Sequence, residues 1–127
     1  MIVLDTHVVI WMYSDPKKLS RAARTAMKAS PQTAVSAITC WEVATLVRLQ
    51  RISLDRDVNL WLRQVAADLE VVPVDCAIAR HAGELASTDI PGDPADRLIW
   101  ATAQSVGAPL VTADSNLRRF APGGTIW

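Results

Sequence analysis

Apolar residues fall along this chain in two rhythms. Short runs rich in β-branched residues mark strands at Ile2–Leu4, Thr33–Ala37, Val71–Val74 and Pro109–Thr112, with a last one at Thr125–Trp127. Between them lie longer stretches that read as helices. Thr6–Tyr13 is ended by Ser14-Asp15-Pro16. Ser20 caps a stretch through about Ala29, stopped by Ser30-Pro31. Thr39 opens a helix to about Gln50, with Leu46, Val47 and Leu49 on its apolar side and Arg48 and Arg51 on its wet one. Leu54–Leu69 carries Val58, Trp61, Leu62, Val65 and Leu69 at helical spacing. Asp75 caps a stretch to about Ala86, Ser87–Gly92 is a turn-rich loop, and Asp93–Val106 is a helix closed by Gly107. Strands that alternate with helices predict an α/β/α sandwich with a short, mostly parallel sheet of about five strands and right-handed crossovers. With 127 residues, the chain is expected to form a single domain over 1–127.

The first strand sets the frame. Ile2, Val3 and Leu4 are too apolar for an exposed start, and an unpaired carboxylate in mid-strand is costly. Asp5 therefore belongs at the strand's carboxyl end, with Thr6 opening the helix behind it. In an open parallel sheet that edge is where ligands bind. The run is interrupted by Asp5 and His7 and has no basic leader, so it is read as neither signal peptide nor membrane span.

Composition changes the picture in two ways. Half of the residues are hydrophobic, which argues against disorder. The formal net charge is zero, with 13 basic and 13 acidic residues, whereas nucleic-acid binders are usually basic. A cluster of acids at a site would, however, mask a basic rim. Cys40 and Cys76 have no metal or redox spacing and are read as reduced core or near-core residues of a cytoplasmic protein.

Three further acids are expected at the edge that Asp5 marks. Glu42 follows the second strand, Asp96 lies in the first turn of the helix after Gly92, and Asp114 follows the fourth strand. Each also has a plainer reading. Thr39-Cys40-Trp41-Glu42 matches a capping box, Asp96 complements a helix dipole, and Asp114 is a turn aspartate. Asp93, followed by Pro94, reads as an N-cap. Together the plain readings weaken, because every acid falls at one edge. Like charges a few ångströms apart repel by roughly 4 kcal/mol per pair at an intermediate dielectric, so such a cluster calls for a cation. Oxygen donors with few His and no paired Cys point to Mg²⁺ or Mn²⁺ rather than zinc.

Leu4-Asp5-Thr6-His7 with Trp11, Trp41-Glu42, Asp93-Pro94-Ala95-Asp96-Arg97 with Trp100-Ala101, and Val111-Thr112-Ala113-Asp114 together resemble the signature of PIN-domain proteins, in particular VapC-type toxins of toxin–antitoxin pairs. The resemblance spans nearly the whole chain and departs at Ala95, where the family commonly has a bulkier apolar residue. It implies a Mg²⁺- or Mn²⁺-dependent ribonuclease in which Asp5, Glu42, Asp96 and Asp114 bind the metal. It gives Thr112, and by its position Thr6, an orienting role, while Asp93 is read as a cap that can also help through water. It also implies a homodimer and a cognate antitoxin partner. His7 is either a proton shuttle or a helix-start histidine. Arg97 is either a phosphate contact or a salt bridge among the acids, and Arg118 and Arg119 are either phosphate contacts or a solvated turn. Trp100 is expected in the core, while one of Trp11, Trp41 and Trp61 is a candidate for an interface.

Other readings are less complete. A dehalogenase-like phosphatase wants a second aspartate two residues after Asp5, where His7 stands, and a receiver domain wants paired acids there. A dinucleotide binder needs a glycine-rich turn after the first strand, which is missing. The remaining alternatives are a catalytically idle binding module acting through a regulator, and a metal nuclease directed at DNA.

Overall fold

A computed structural model describes residues 1–127. Five short strands form one sheet: β1 (Ile2–Leu4), β2 (Thr33–Ser36), β3 (Glu70–Val72), β4 (Leu110–Val111) and β5 (Thr125–Ile126). Their order is β3-β2-β1-β4-β5, and every pairing is parallel. Seven α-helices cover the sheet: α1 (Thr6–Ser14), α2 (Arg21–Ala29), α3 (Ala37–Arg48), α4 (Val58–Asp68), α5 (Cys76–Glu84), α6 (Pro94–Ser105) and α7 (Ser115–Phe120). A 3₁₀ turn at Pro16–Lys18 joins α1 to the approach of α2. No helix is long and apolar enough to cross a membrane.

The apolar runs of the strands are explained by burial on both faces. Ile2 and Leu4 of β1 point into one core with Val8, Val9, Val35, Val43, Trp61, Val65 and Val111. Val3 points the other way, into a second core with Ala34, Ile99, Trp100, Leu110 and Leu117. This is the two-residue alternation of a strand with no wet side. Val3 and Leu4 are fully buried, and each contributes about 1.5–3 kcal/mol of burial free energy.

The helix starts differ from expectation in three places, each for a local reason. Ser36 at the end of β2 caps α3 by accepting from the Ile38 amide, so the helix begins at Ala37 and Thr39 sits inside it. The capping box expected at Thr39–Glu42 therefore does not form. The helix expected from Leu54 starts only at Val58, because Asp57 accepts the Asn59 amide at 2.9 Å. The segment after Asp114, expected as a turn, is α7, with Asp114 as its N-cap. Cys76, expected in or near the core, is exposed, while Cys40 is half-buried.

Candidate active site

The chain runs from β1 outward to β2 and β3, then crosses back to β4 and β5 on the other side. The strand order thus reverses between β1 and β4, which is where a doubly wound sheet opens a crevice at its carboxyl edge. Asp5 leaves β1 and Asp114 follows β4, so one acid stands on each side of the switch. The amino ends of α3 and α6 bring Glu42 and Asp96 to the same place. A pocket of about 390 Å³ there is lined by Asp5, Glu42, Asp93, Asp96 and Asp114, together with His7, Trp11, Leu46, Arg51 and Ala113. All four acids expected to share an edge share it, and Asp93 joins them.

Asp5 is the most constrained of the set, at 6% exposed. Its amide donates to the Val111 carbonyl at 3.0 Å across the switch point. One carboxylate oxygen, Oδ1, accepts from the Thr6 amide at 2.7 Å, which makes Asp5 the N-cap of α1. The other, Oδ2, accepts from Thr112 Oγ1 at 2.6 Å. Thr112 Oγ1 in turn accepts from the Asp114 amide at 3.0 Å. A fully buried threonine thereby fixes two of the acids at once. Asp114 Oδ1 caps α7 through the Leu117 amide at 2.9 Å, and Asp93 Oδ1 caps α6 through the Ala95 amide at 3.0 Å. The capping reading of Asp93 is correct, and the residue lines the pocket as well.

Glu42 is held by a pair of hydroxyls. Thr6 Oγ1 donates to Glu42 Oε1 at 2.5 Å and lies 3.0 Å from Thr39 Oγ1. Both threonines are buried. Thr39 is a residue that pattern reading placed wrongly. Its Thr-x-x-Glu spacing imitates a capping box, but the hydroxyl serves Thr6 across the helix pair.

The electrostatics follow from crowding and burial. Burial pushes the Asp5 carboxyl up, against the opposing hydrogen bonds from Thr112 and Thr6 and the nearby His7. Burial pushes Glu42 up to about 6, relieved in part by the Thr6 hydroxyl and reinforced by Asp5 and Asp93. Burial also raises Asp96, to about 7, with further repulsion from Asp5, Asp114, Glu42 and Asp93. No basic side chain neutralises the group: the ion pairs of the molecule are Arg56–Asp55 and Arg80–Glu84, both on the surface. An all-carboxylate, uncompensated donor set fits a hard divalent cation. No three of these side chains stand in a geometry that grips an ion directly. A cation seated among them would keep part of its water, as Mg²⁺ readily does.

Among the flanking basic residues, Arg97 meets neither expectation, while Arg118 and Arg119 are exposed, in keeping with the solvated reading. Arg97 neither bridges the acids nor lines their pocket; its Nη1 donates to the Ile90 carbonyl at 2.9 Å and steadies the loop before α6. Arg118 and Arg119 lie in the last turn of α7, outside the pocket lining. The basic residue that does line it is Arg51. Trp100 is buried, as expected, and so is Trp61, whereas Trp41 is 55% exposed.

These features define a class: an α/β/α fold with carboxylates gathered at the switch point of a parallel sheet. The chain belongs to the PIN-domain family, whose model matches residues 2–122. It is 41% identical over 128 residues to Ribonuclease VapC22 of Mycobacterium tuberculosis, a match that covers 99% of this chain and 98% of that protein. Among solved structures, a DNA-bound VapBC from Salmonella typhimurium matches with a TM-score of 0.67 at 27% identity, covering 98% of this chain and 96% of that one. A toxin–antitoxin complex from Klebsiella pneumoniae has the same fold, with a TM-score of 0.70 at 23% identity over 100% of this chain and 97% of that one.

Proposed function

We propose that this protein is a Mg²⁺- or Mn²⁺-dependent endoribonuclease, acting as the toxin of a toxin–antitoxin pair. The observation that carries the reading is the uncompensated acid cluster at the switch point. Four carboxylates from four separate elements converge there, and burial and mutual repulsion raise three of them. The 41% identity to a ribonuclease over nearly the full length supports RNA as the substrate.

Asp5, Asp96, Asp114 and Glu42 would hold the cation. When bound, it supplies Lewis acidity toward a phosphate oxygen and lowers the pKa of water. The chain's own contribution is to hold these groups ready. Thr112 and the Thr6 amide tie down both oxygens of Asp5, so its carboxylate has one orientation. Thr6 occupies Oε1 of Glu42 and leaves Oε2 to accept a hydrogen bond from the attacking water. Asp96, raised to about 7, would hold the cation as its carboxylate, so binding there would release a proton. Attack by water in line with the departing 3′-oxygen leaves a 5′-phosphate and a 3′-hydroxyl. This route uses no 2′-hydroxyl as nucleophile, so the preference for RNA rests on the relative.

The antitoxin partner is supported by the toxin–antitoxin neighbours and by Trp41, exposed on α3 next to Glu42. A homodimer belongs to the same reading, and Leu49, Leu60 and Phe120 are further exposed apolar side chains that could serve either contact.

The test is cleavage of labelled RNA, and of DNA alongside it, with Mn²⁺ and with EDTA. Wild type is expected to cut RNA only with the metal. Asp5→Asn and Asp96→Asn are each expected to abolish cutting while circular dichroism stays native. Cutting by both purified variants would remove the assignment. A wild-type protein that cuts nothing would instead be a binding module, and preferential cutting of DNA would make it a DNA nuclease.

A further inference from the structure

Five of the ten residues that line the acidic pocket are carboxylates, and the rest include His7, Trp11, Leu46 and Arg51. Arg51 is the one lysine or arginine among them. A flexible guanidinium beside five acids would be expected to fold onto one of them. It does not: the ion pairs of the chain lie elsewhere, at Arg56–Asp55 and Arg80–Glu84.

The backbone explains where Arg51 is held. The end of α3 is a Schellman turn, in which the Arg51 amide donates to the Leu46 carbonyl at 2.9 Å and the Gln50 amide to the Val47 carbonyl at 3.0 Å. Gln50 takes the left-handed position with φ 56°, and it is the one non-glycine residue of the chain with positive φ. Arg51 thus occupies the position after the left-handed residue, where an apolar side chain would ordinarily pack back on the helix. Here the residue is an exposed arginine, and Leu46, the residue it would pack on, lines the same pocket.

Trp11 adds an aromatic face. Its ring lies 5.8 Å from that of His7 and 5.8 Å from that of Trp127, and Lys18 Nζ stands 5.9 Å from its centroid. A free arginine and an aromatic ring that line one pocket offer the pairing that single-stranded nucleic acid uses, cation to phosphate and ring to base.

We propose that Arg51 is the phosphate-binding residue of this pocket, its guanidinium donating to an RNA backbone phosphate next to the one being cut, with Trp11 as an aromatic wall of the same pocket. The proposal rests on the ribonuclease reading. It also answers a difficulty that reading leaves. With zero net charge and five acids in the pocket, an RNA chain needs a local cation to approach.

The experiment measures binding of a short fluorescein-labelled single-stranded RNA in an Asp96→Asn background with Mg²⁺, across a range of salt. Arg51→Gln is expected to weaken binding several-fold at low salt. It should also reduce the slope of log Kd against log salt by about 0.7, the loss of one phosphate contact on a single strand. Arg51→Lys should keep the slope. Arg80→Gln, in a surface ion pair on α5, should change neither quantity. In the cleaving protein, Arg51→Gln should raise KM and leave kcat. An unchanged slope in Arg51→Gln, an equal loss in Arg80→Gln, or no binding by the parent would each overturn the proposal. Cleavage by wild type with Mn²⁺ is read separately. A cutting protein with an unchanged slope loses only the Arg51 assignment. A slope drop in a protein that cuts nothing keeps Arg51 as a phosphate-binding residue and removes the ribonuclease.

Discussion

Thr6 has one hydroxyl hydrogen, and at 2.5 Å it goes to Glu42. The hydrogen between Thr6 and Thr39 must then come from Thr39, whose oxygen lies 3.0 Å away and has no other partner. The result is a directed chain, Thr39 to Thr6 to Glu42, in which each donation polarises the next. Thr39 is a positioning residue in this account, and two near-isosteric changes separate its hydroxyl from its methyl. Thr39→Val keeps the volume and loses the donor; it is expected to lower kcat with Mn²⁺ about 10-fold, as removal of an outer hydrogen bond typically does. Thr39→Ser keeps the donor and should cut near the wild-type rate, with Mn²⁺ affinity by calorimetry following the same order. If serine proves worse than valine, packing of the methyl group is what matters and the relay is idle. Thr39 also shows where pattern reading runs out. Asp5 was legible because a lone carboxylate in an apolar run has few places to go. The Thr39–Glu42 spacing was equally visible but matched a local motif, while the partner that decides its role, Thr6, is 33 residues away. Arg97 and Arg51 exchanged expectations for a similar reason: adjacency to Asp96 suggested a role that the backbone of Ile90 took instead.

Secondary-structure elements reach the site through their neighbours, and β5 is the clearest case. Among the hydrogen bonds that join it to β4 are those from the Leu110 amide to the Gly124 carbonyl at 2.9 Å and from the Thr112 amide to the Ile126 carbonyl at 3.1 Å. The second fixes the backbone of the threonine that orients Asp5. Gly124 is required for this seat, because a Cβ there would meet Trp100 Cη2 at 2.8 Å and Cζ3 at 3.3 Å. Trp100 cannot easily yield, since it is buried and packs edge-on to Phe120 at 5.8 Å. Gly124→Ala is therefore expected to destabilise the fold by about 1–3 kcal/mol in urea unfolding, the usual cost of overpacking. Wild-type stability in that variant would mean the β5 turn adapts freely. The strands themselves were readable, because burial on both faces demands the β-branched runs seen at Ile2–Leu4 and Leu110–Val111. Helix starts were less so. The end of α3 falls where it was read, at about Gln50, although no glycine announces it, whereas α7 is six residues long with two arginines in its last turn, a composition that reads as a solvated loop. The missed helix matters for function, because Asp114, which caps it, lines the pocket.

Charge is balanced over the whole molecule and unbalanced at one place in it. The 13 acids match the 13 basic residues in number, yet five acids share a pocket with a single unpaired arginine. Without a cation, this crowding must appear in the stability of the fold. Asp96 is raised from 3.8 to about 7 and Glu42 from 4.5 to about 6, both chiefly by burial, and Asp5 is raised as well. A carboxyl whose pKa is higher in the folded state binds its proton more tightly there than in the unfolded chain. Its contribution is complete below about pH 4, declines as pH rises, and is gone above about pH 7. The metal-free protein is therefore expected to lose several degrees of thermal midpoint between those limits. The exposed Asp55 and Asp68 are lowered instead, so they add stability as pH rises, but only at the acid end of the range. Asp96→Asn should flatten the decline, since it removes the carboxyl raised to about 7. Mg²⁺ or Mn²⁺ should restore the midpoint most strongly at neutral pH and least in acid, where protons compete for the same oxygens. Saturation at about 100 times Kd would add about 2.7 kcal/mol. Scanning calorimetry of wild type and Asp96→Asn, with EDTA and with Mn²⁺ from acid to neutral pH, measures all of this at once. A metal-free midpoint that climbs steadily through the same window in both proteins would show that the acids do not burden the native state. The case for a cation-dependent site would then lose its electrostatic basis.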